Sequence, residues 1–489
     1  MLHLGIDVGT TSVKAAAFGR SGEKHAAASV AAETLNPHPG WSEQSMVAVW
    51  SGVATVVREV AGAVGGAAIA SIGVSGQGDG LWALDAGRRP VRDAILWNDR
   101  RASDIVARWS EEGVVDAVAK SCRTALWPGT NAAAYAWLKT NDPDTANRID
   151  VIVNAKDWIG HRLTGELGTD YSDASIAFLD LPSKTYSAGA FARCGVPELA
   201  GKVLPARLSA EPLGLLRGTV AGDLGLEAGT PVAVGALDIA AMHVGAGLNA
   251  IGDALLILGT TGVVSTVTSP SPPRDRIVGA TVVHATGDRW LNVQAPQSGT
   301  SALDWFCGQF RDLFPGGAPD VVALAGTAPP GANGVLFLPY LTGERAPFVA
   351  PDATGSLLGL RATSTSADMA RAVLEGVAFS LRHCLDETGI AERAGFVVTG
   401  GGARGDLWRQ ILADVMGASI RSPAEDELGL LGAARLGAHA AGALDAFAAD
   451  TATNAAVAAR EPAPRAMARM DSQYLSYRAA IDALAPGWS

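Results

Sequence analysis

Two short polar turns recur in this chain, each at the end of an apolar run. The first is Asp7-Val-Gly9-Thr10-Thr11-Ser12-Val-Lys14, and the second is Leu258-Gly259-Thr260-Thr261-Gly262. Backbone amides and hydroxyls in such a turn form an anion-binding concavity that needs no lysine. Two of them half a chain apart predict two similar domains serving one polyphosphate. Two unrelated hairpins are the alternative, because turns favour these small polar residues in any case. Asp7, beside the first turn, suits a magnesium ion held through water, since that ion keeps several waters and uses one or two carboxylates. It suits an ordinary turn aspartate equally well. Asp238 ends an apolar strand and begins Ile-Ala-Ala-Met242. At that strand-to-helix corner it is either a helix N-cap or a base that accepts a hydroxyl proton.

One further motif competes. Gly400-Gly-Gly-Ala-Arg-Gly405 matches G-x-G-x-x-G after a strand, with Glu425 about twenty residues on. Too little chain follows to build a dinucleotide-binding half around it. No G-x-x-x-x-G-K-[ST] loop occurs in the chain.

The elements that must position these groups alternate between strands and helices, which places the chain in the α/β class. Each Gly-Thr-Thr turn joins two β-prone runs into a hairpin. A helix is expected over 46–64, a strand over 69–74, a hairpin-like stretch over 81–97, and mostly helix over 102–165. The second half repeats the plan, with a hairpin at 254–268 and strands at 290–294 and 396–399. A helix over 367–387 starts from a Thr365/Asp368 capping box and shows one apolar face of Met369, Val373, Val377 and Leu381. The Ala-rich stretch after Glu427 predicts a pair of closing helices.

At 489 residues the chain is too long for one core and fits two domains of about 245 residues. A hydrophobic content of 48% with 18% charged residues excludes a disordered chain. The net charge of −11 argues against a nucleic-acid partner, which needs a basic footprint. The four cysteines lie far apart, so neither a zinc framework nor a disulfide scaffold is expected, and a reducing cytoplasm fits. No signal peptide, membrane helix or membrane partner is expected.

Longer stretches resemble a known family, the FGGY carbohydrate kinases, and most closely its xylulokinase-like branch. The similarity lies in Gly355-Ser-Leu-Leu-Gly-Leu360 through Asp368-Met-Ala-Arg-Ala-Val-Leu-Glu375, with Pro39-Gly-Trp-Ser-Glu43-Gln44 and Ile95-Leu-Trp-Asn-Asp-Arg100. Lys156-Asp157, Leu163-Thr-Gly165, Leu338–Arg345 and Thr399–Arg404 follow in the family's order. The resemblance implies two actin-like, ribonuclease-H-type ATPase domains, 1–246 and 247–489, with a nucleotide cleft between them. It implies ATP and magnesium as cofactors, with Asp7 holding the metal through water. Thr10, Thr11, Ser12 and Lys14 would form the first phosphate loop, and Gly259, Thr260 and Thr261 the second. Gly401, Gly402, Ala403 and Arg404 would lie near adenosine. Asp238 would be the catalytic base, with Trp41, Gln77, Gly78, Asp79 and Asn98 beside it on the sugar.

Three departures bear on the substrate. Xylulokinases usually read Gly-Gln-Met-His-Gly where this chain reads Gly76-Gln77-Gly78-Asp79-Gly80, a form similar to erythritol and L-xylulose kinases. Glycine and aspartate there are expected to open space and to add an acceptor for hydroxyls. Ile239 stands where asparagine usually follows the base, and Ala134 lies where a lysine is usual. The expected activity is ATP-dependent phosphorylation of a terminal hydroxyl on a xylulose-type ketopentose. A polyol such as erythritol is the alternative, and a non-catalytic sugar-sensing protein ranks below both. A homodimer is the expected assembly.

Overall fold

Leu4, Ile6 and Val8 are wholly buried on the first strand, and so are their neighbours across the sheet, Ile72 and Val74. Such runs form where helices cover both faces of a sheet. The computed structural model describes residues 1–489 except 177, 271–276, 313, 391–393, 448–455 and 489. It divides into unit 1 (Met1–Asn249, Ser269–Leu291 and Glu427–Asn454) and unit 2 (Ala250–Thr268, Asn292–Asp426 and Ala455–Ser489). The chain thus leaves unit 1 twice and returns to it at Ser269 and again at Glu427.

Unit 1 contains β1 (Leu2–Val8), β2 (Ser12–Phe18), β3 (Lys24–Ala31), β4 (Ile69–Gly76), β5 (Pro212–Leu215) and β6 (Pro231–Ala233). Their order is β5-β6-β4-β1-β2-β3. β1–β2 and β2–β3 are antiparallel, whereas β4 is parallel to both β1 and β6. Unit 2 contains β7 (Ala254–Leu258), β8 (Gly262–Thr268), β10 (Phe396–Thr399), β11 (Ile420–Pro423) and β12 (Ala456–Arg460), with the last three residues of β9 (Trp290–Gln294). These six run β12-β11-β10-β7-β8-β9, and the strand Ala280–Val283 follows β9 in the same sheet. Again a hairpin, β7–β8, has a parallel strand, β10, beside its first member. The two sheets share one strand order.

Four helices matter below: α1 (Met46–Val64), α2 (Asp238–Ala246), α3 (Ser366–Glu387) and α4 (Leu428–Ala440). Among the described residues α1 alone is long and apolar enough to cross a membrane. Its Val49, Val53, Val56, Val57 and Val60 are instead buried in the core with Leu4, Ile6 and Val13. α4 packs against β1, β4 and α2 at backbone distance. A Cβ on Gly5 would lie 2.0 Å from the Leu430 oxygen, and one on Gly432 would lie 1.8 Å from the Ala241 oxygen.

Three expectations need correcting. Residues 102–165 form five helices, broken by the loop 123–130 and by the strand Val151–Val153, whose β-branched run pairs with Trp82–Leu84. The closing segment is α4 and the helix Pro464–Leu484, with β12 between them. On α3 the capping box forms as read, with Thr365 and Asp368 each bonding the other's backbone N–H. The helix does not stop at one apolar face, however: every residue from Ala370 to Leu381 is buried. A buried Arg371–Glu375 pair at 2.7 Å makes that possible, because paired charges can enter a core that lone ones cannot.

Candidate active site

Parallel pairing gathers the first part of the site. Val8 sits beside Gly76 across β1 and β4, and Leu237 sits beside Gly76 on the other side. The loop after β1, the segment after β4 and Asp238 therefore leave the sheet together, at strand carboxyl ends where open α/β sheets bind ligands. Side chains lock the first two in place. The Thr10 hydroxyl donates to Gln77 Oε1 at 2.8 Å, Gln77 Nε2 donates to Gln44 Oε1 at 2.9 Å, and Gln44 Nε2 donates to the Thr10 carbonyl at 3.0 Å. Trp97 Nε1 also donates to the Thr10 hydroxyl, at 3.1 Å, while its ring remains exposed. Thr11 is exposed at the tip of the turn and Ser12 is half-buried as β2 begins. The sequence reading missed Trp97 and Gln44; both lie inside the quoted segments, but nothing in their spacing marks a contact with Thr10.

Carboxylates dominate the floor. Asp238 is the first residue of α2, and the N-cap is Leu237, so the capping alternative falls away. Asp238 Oδ1 accepts its neighbour's amide, from Ile239. Its carboxyl is exposed to water but crowded by protein. Desolvation first and the Asp7 charge second push it up to about 7. Water reaching the exposed carboxylate opposes that rise, so about 7 is the upper end. Asp7 is half-buried and accepts from the Ser75 hydroxyl at 2.7 Å. Desolvation raises its carboxyl too. Lys14 is paired with Glu427 at 2.8 and 2.9 Å, at the start of α4. The expected phosphate-loop cation is thus held by a carboxylate.

The segment 76–80 departs from expectation. Gly78 does not open space. A Cβ there would lie 2.2 Å from Leu237 Cδ1, so the leucine already fills that volume. Asp79 does present an acceptor. It is 4% exposed and left-handed at φ 62°, a conformation aspartate tolerates better than most residues. Its Oδ1 accepts the Asn131 N–H at 3.2 Å, whereas Oδ2 has no hydrogen-bond partner. Desolvation holds its carboxyl well above the usual range. Asn131 Oδ1 is also buried without a partner, a second acceptor that sequence reasoning did not single out.

Beneath this segment, Lys156 Nζ lies 2.6 Å from Asp157, 3.1 Å from Asp170 and 3.1 Å from Asp173, all fully buried. Asp170 accepts from the Ser172 and Ser209 hydroxyls, and Ser172 Oγ accepts the Leu237 N–H at 2.9 Å. That chain anchors the residue immediately before Asp238. Trp41 is engaged by Arg101, whose guanidinium sits 3.8 Å from the ring centroid while Asp99 and Glu43 hold it from the side. Asn98 is exposed, next to the buried Asp99.

Unit 2 carries its own loop. Thr260 is exposed, and Gly259 and Thr261 are half-buried. The Gly259 and Thr260 carbonyls accept from the Thr300 and Ser301 N–H groups that open the helix Thr300–Gln309, fixing the turn. Gly400, at φ 95°, passes so close that a Cβ would meet the Leu258 oxygen at 2.7 Å. Gly401–Arg404 therefore forms a short helical turn against the base of this loop. Gly402 and Ala403 are buried in it, and Gly401 and Arg404 are exposed.

Residues 2–245 match the model of the FGGY family of carbohydrate kinases, N-terminal domain, and residues 254–441 match its C-terminal domain. The xylulose kinase of Escherichia coli (strain K12) is 33% identical over 450 residues, covering 90% of either chain. The erythritol kinase of Brucella abortus (strain 2308) is 30% identical over 510 residues, covering 99% of this chain and 96% of that one. The crystal structure of a xyloylose kinase from Brucella ovis superposes with a TM-score of 0.91 at 31% identity, over 99% of this chain and 100% of its own.

Proposed function

Because the chain belongs to the FGGY family of carbohydrate kinases, we propose that it transfers the γ-phosphoryl group of ATP to a terminal hydroxyl of a xylulose-type ketopentose. The observation that carries this reading is the convergence in unit 1 of the Thr10 loop, the Gln77–Asp79 segment and Asp238. Ionised Asp238 accepts the hydroxyl proton as that oxygen attacks phosphorus. Phosphoryl transfer asks little covalent work of a protein beyond such positioning and charge neutralisation. The amides of the Thr10 loop and of the Thr260 loop each offer donors to phosphate oxygens, and Gly401–Arg404 offers a surface for adenosine.

Magnesium fits the residues present. Asp7 and Asp238 are two carboxylates close enough that the charge of one raises the other, and a cation relieves that repulsion. Asp7 would hold it through water, and the ion would neutralise phosphate charge. Gln77 and Asp79 would hold the sugar; Trp41, already stacked on Arg101, and Asn98 would line its approach. A cytoplasmic location, where ATP is supplied, is part of the same proposal.

A polyol substrate is the second reading. It is favoured by Asp79 Oδ2, a buried oxygen without a hydrogen-bond partner: ionised it accepts from a hydroxyl and protonated it donates to one, so a hydroxyl satisfies it in either form. A coupled assay of ADP release across pentuloses and tetritols tests both. Sugar-dependent release is expected with at least one of them. Release with none would leave the non-catalytic, sugar-sensing reading in its place.

A further inference from the structure

We propose that Leu237 is the residue that sets substrate size and preference in this kinase, acting as one unit with Gly78; the inference rests on the kinase reading above. Position 78 is a point of convergence. A Cβ built on Gly78 would meet Leu237 Cδ1 at 2.2 Å, Ile176 Cδ1 at 3.2 Å and Asp173 Oδ1 at 3.3 Å. Real carbon atoms do not approach to 2.2 Å, so a side chain at 78 would force the Leu237 side chain out of the volume it now fills. The volume is filled from the strand that carries the base instead of from the segment that carries Asp79.

That choice has a chemical consequence. Leu237 is fixed at both ends of its backbone: it pairs beside Gly76, and its N–H donates to Ser172 Oγ. Its carbonyl side leads directly into Asp238. The side chain, 4% exposed, therefore sets an apolar group over Gly78, the residue before Asp79, while the residue after Leu237 is Asp238; Asp79 Oδ2 has no hydrogen-bond partner. An apolar group offers no partner to a hydroxyl pointing at it, and a hydroxyl buried there would be left unbonded. The class selected is an open-chain sugar or polyol that presents C–H groups to Leu237 and hydroxyls to Asp238 and Asp79.

The test compares kcat/KM at saturating ATP for erythritol, D-xylulose, L-xylulose and a ketohexose. It uses the wild type, Leu237→Ala, Leu237→Val, Gly78→Met and the double variant Gly78→Met/Leu237→Gly. Removing a few methylenes from a pocket shifts discrimination by about ten- to two-hundredfold. Leu237→Ala should therefore raise the ketohexose-to-pentulose ratio about tenfold or more, with the KM for ATP unchanged. Leu237→Val should move it in the same direction by less, which covers the case in which the alanine variant is unstable. Gly78→Met alone should lose most activity on every sugar, and the double variant should regain it with an altered order of preference. Equal scaling of all substrates in the folded Leu237 variants would overturn the proposal, as would a double variant no better than Gly78→Met. A wild type that releases no ADP with any sugar would instead overturn the kinase reading beneath it.

Discussion

The Thr10 hydroxyl donates to Gln77 Oε1, so the loop expected to hold phosphate is tied by its own side chain to the segment expected to hold sugar. Thr260 instead stands exposed at the head of its hairpin, tied through its carbonyl to the Ser301 N–H. The two threonines, alike in sequence, should therefore answer differently to the same substitution. Thr10→Val should raise the KM for both ATP and sugar, because Gln77 loses its donor and shifts. Thr260→Val should raise the KM for ATP alone. A hydrogen bond lost from such a network is worth about 0.5–1.5 kcal/mol, or up to about tenfold. Steady-state kinetics with each substrate varied in turn separate the outcomes, and an unaltered sugar KM in Thr10→Val would break the link.

Asp79 needs a gentler substitution than alanine, since it also accepts the Asn131 N–H and adopts a left-handed backbone. Asparagine tolerates both but turns half of the group into a donor. Asp79→Asn should raise the sugar KM by tenfold or more with the KM for ATP unchanged, because a site built to bond a hydroxyl discriminates strongly. Unchanged kinetics for sugar in a folded variant would make Asp79 a turn residue that starts the helix Asn131–Asn141.

Lys156 answers to three carboxylates at once. Lys156→Met would leave Asp157, Asp170 and Asp173 buried without their cation, and breaking a buried pair in this way costs about 3–5 kcal/mol. Denaturant or thermal unfolding should register a loss of that size at neutral pH. The loss should shrink on acidification, as the stranded carboxylates take up protons and cease to repel. A variant as stable as the wild type at pH 7 would mean that the cluster carries less charge than its geometry implies.

Much of the hairpin architecture was legible in the residues themselves. Gly9-Thr10-Thr11 and Gly259-Thr260-Thr261 announce tight turns through local chemistry, and the strands beside them follow from β-prone runs. The Thr365/Asp368 capping box was readable for the same reason. What escaped depends on partners distant in sequence. Val151–Val153 becomes a strand because Trp82–Leu84 offers an edge, and α3 is buried all round because Arg371 meets Glu375. Gly78 reads as open space until Leu237, 159 positions on, is seen to occupy it. Glu427 reads as a residue of the second half, yet it pairs with Lys14. Spacing along a chain records none of these.

The account stands most directly on Asp238, and the pH profile of kcat at saturating ATP and sugar measures it. A base whose carboxyl is pushed up toward 7 must lose its proton before it can work, so kcat should rise with pH along a limb with its midpoint between the ordinary aspartate value and about 7. Stability should run the opposite way. The folded state holds this proton where the unfolded chain has released it, so Asp238 weakens the fold as pH rises through the same window. In the protein free of metal and ATP, Asp7→Asn, which removes the charge that raises Asp238, should lower the pKa of the Asp238 carboxyl, read by NMR titration. Asp238→Asn should lower kcat by about a hundredfold or more and abolish the limb while leaving ATP binding intact. Turnover close to wild type in Asp238→Asn, with the limb still in place, would contradict the central claim and return Asp238 to the role of a first-turn helix residue.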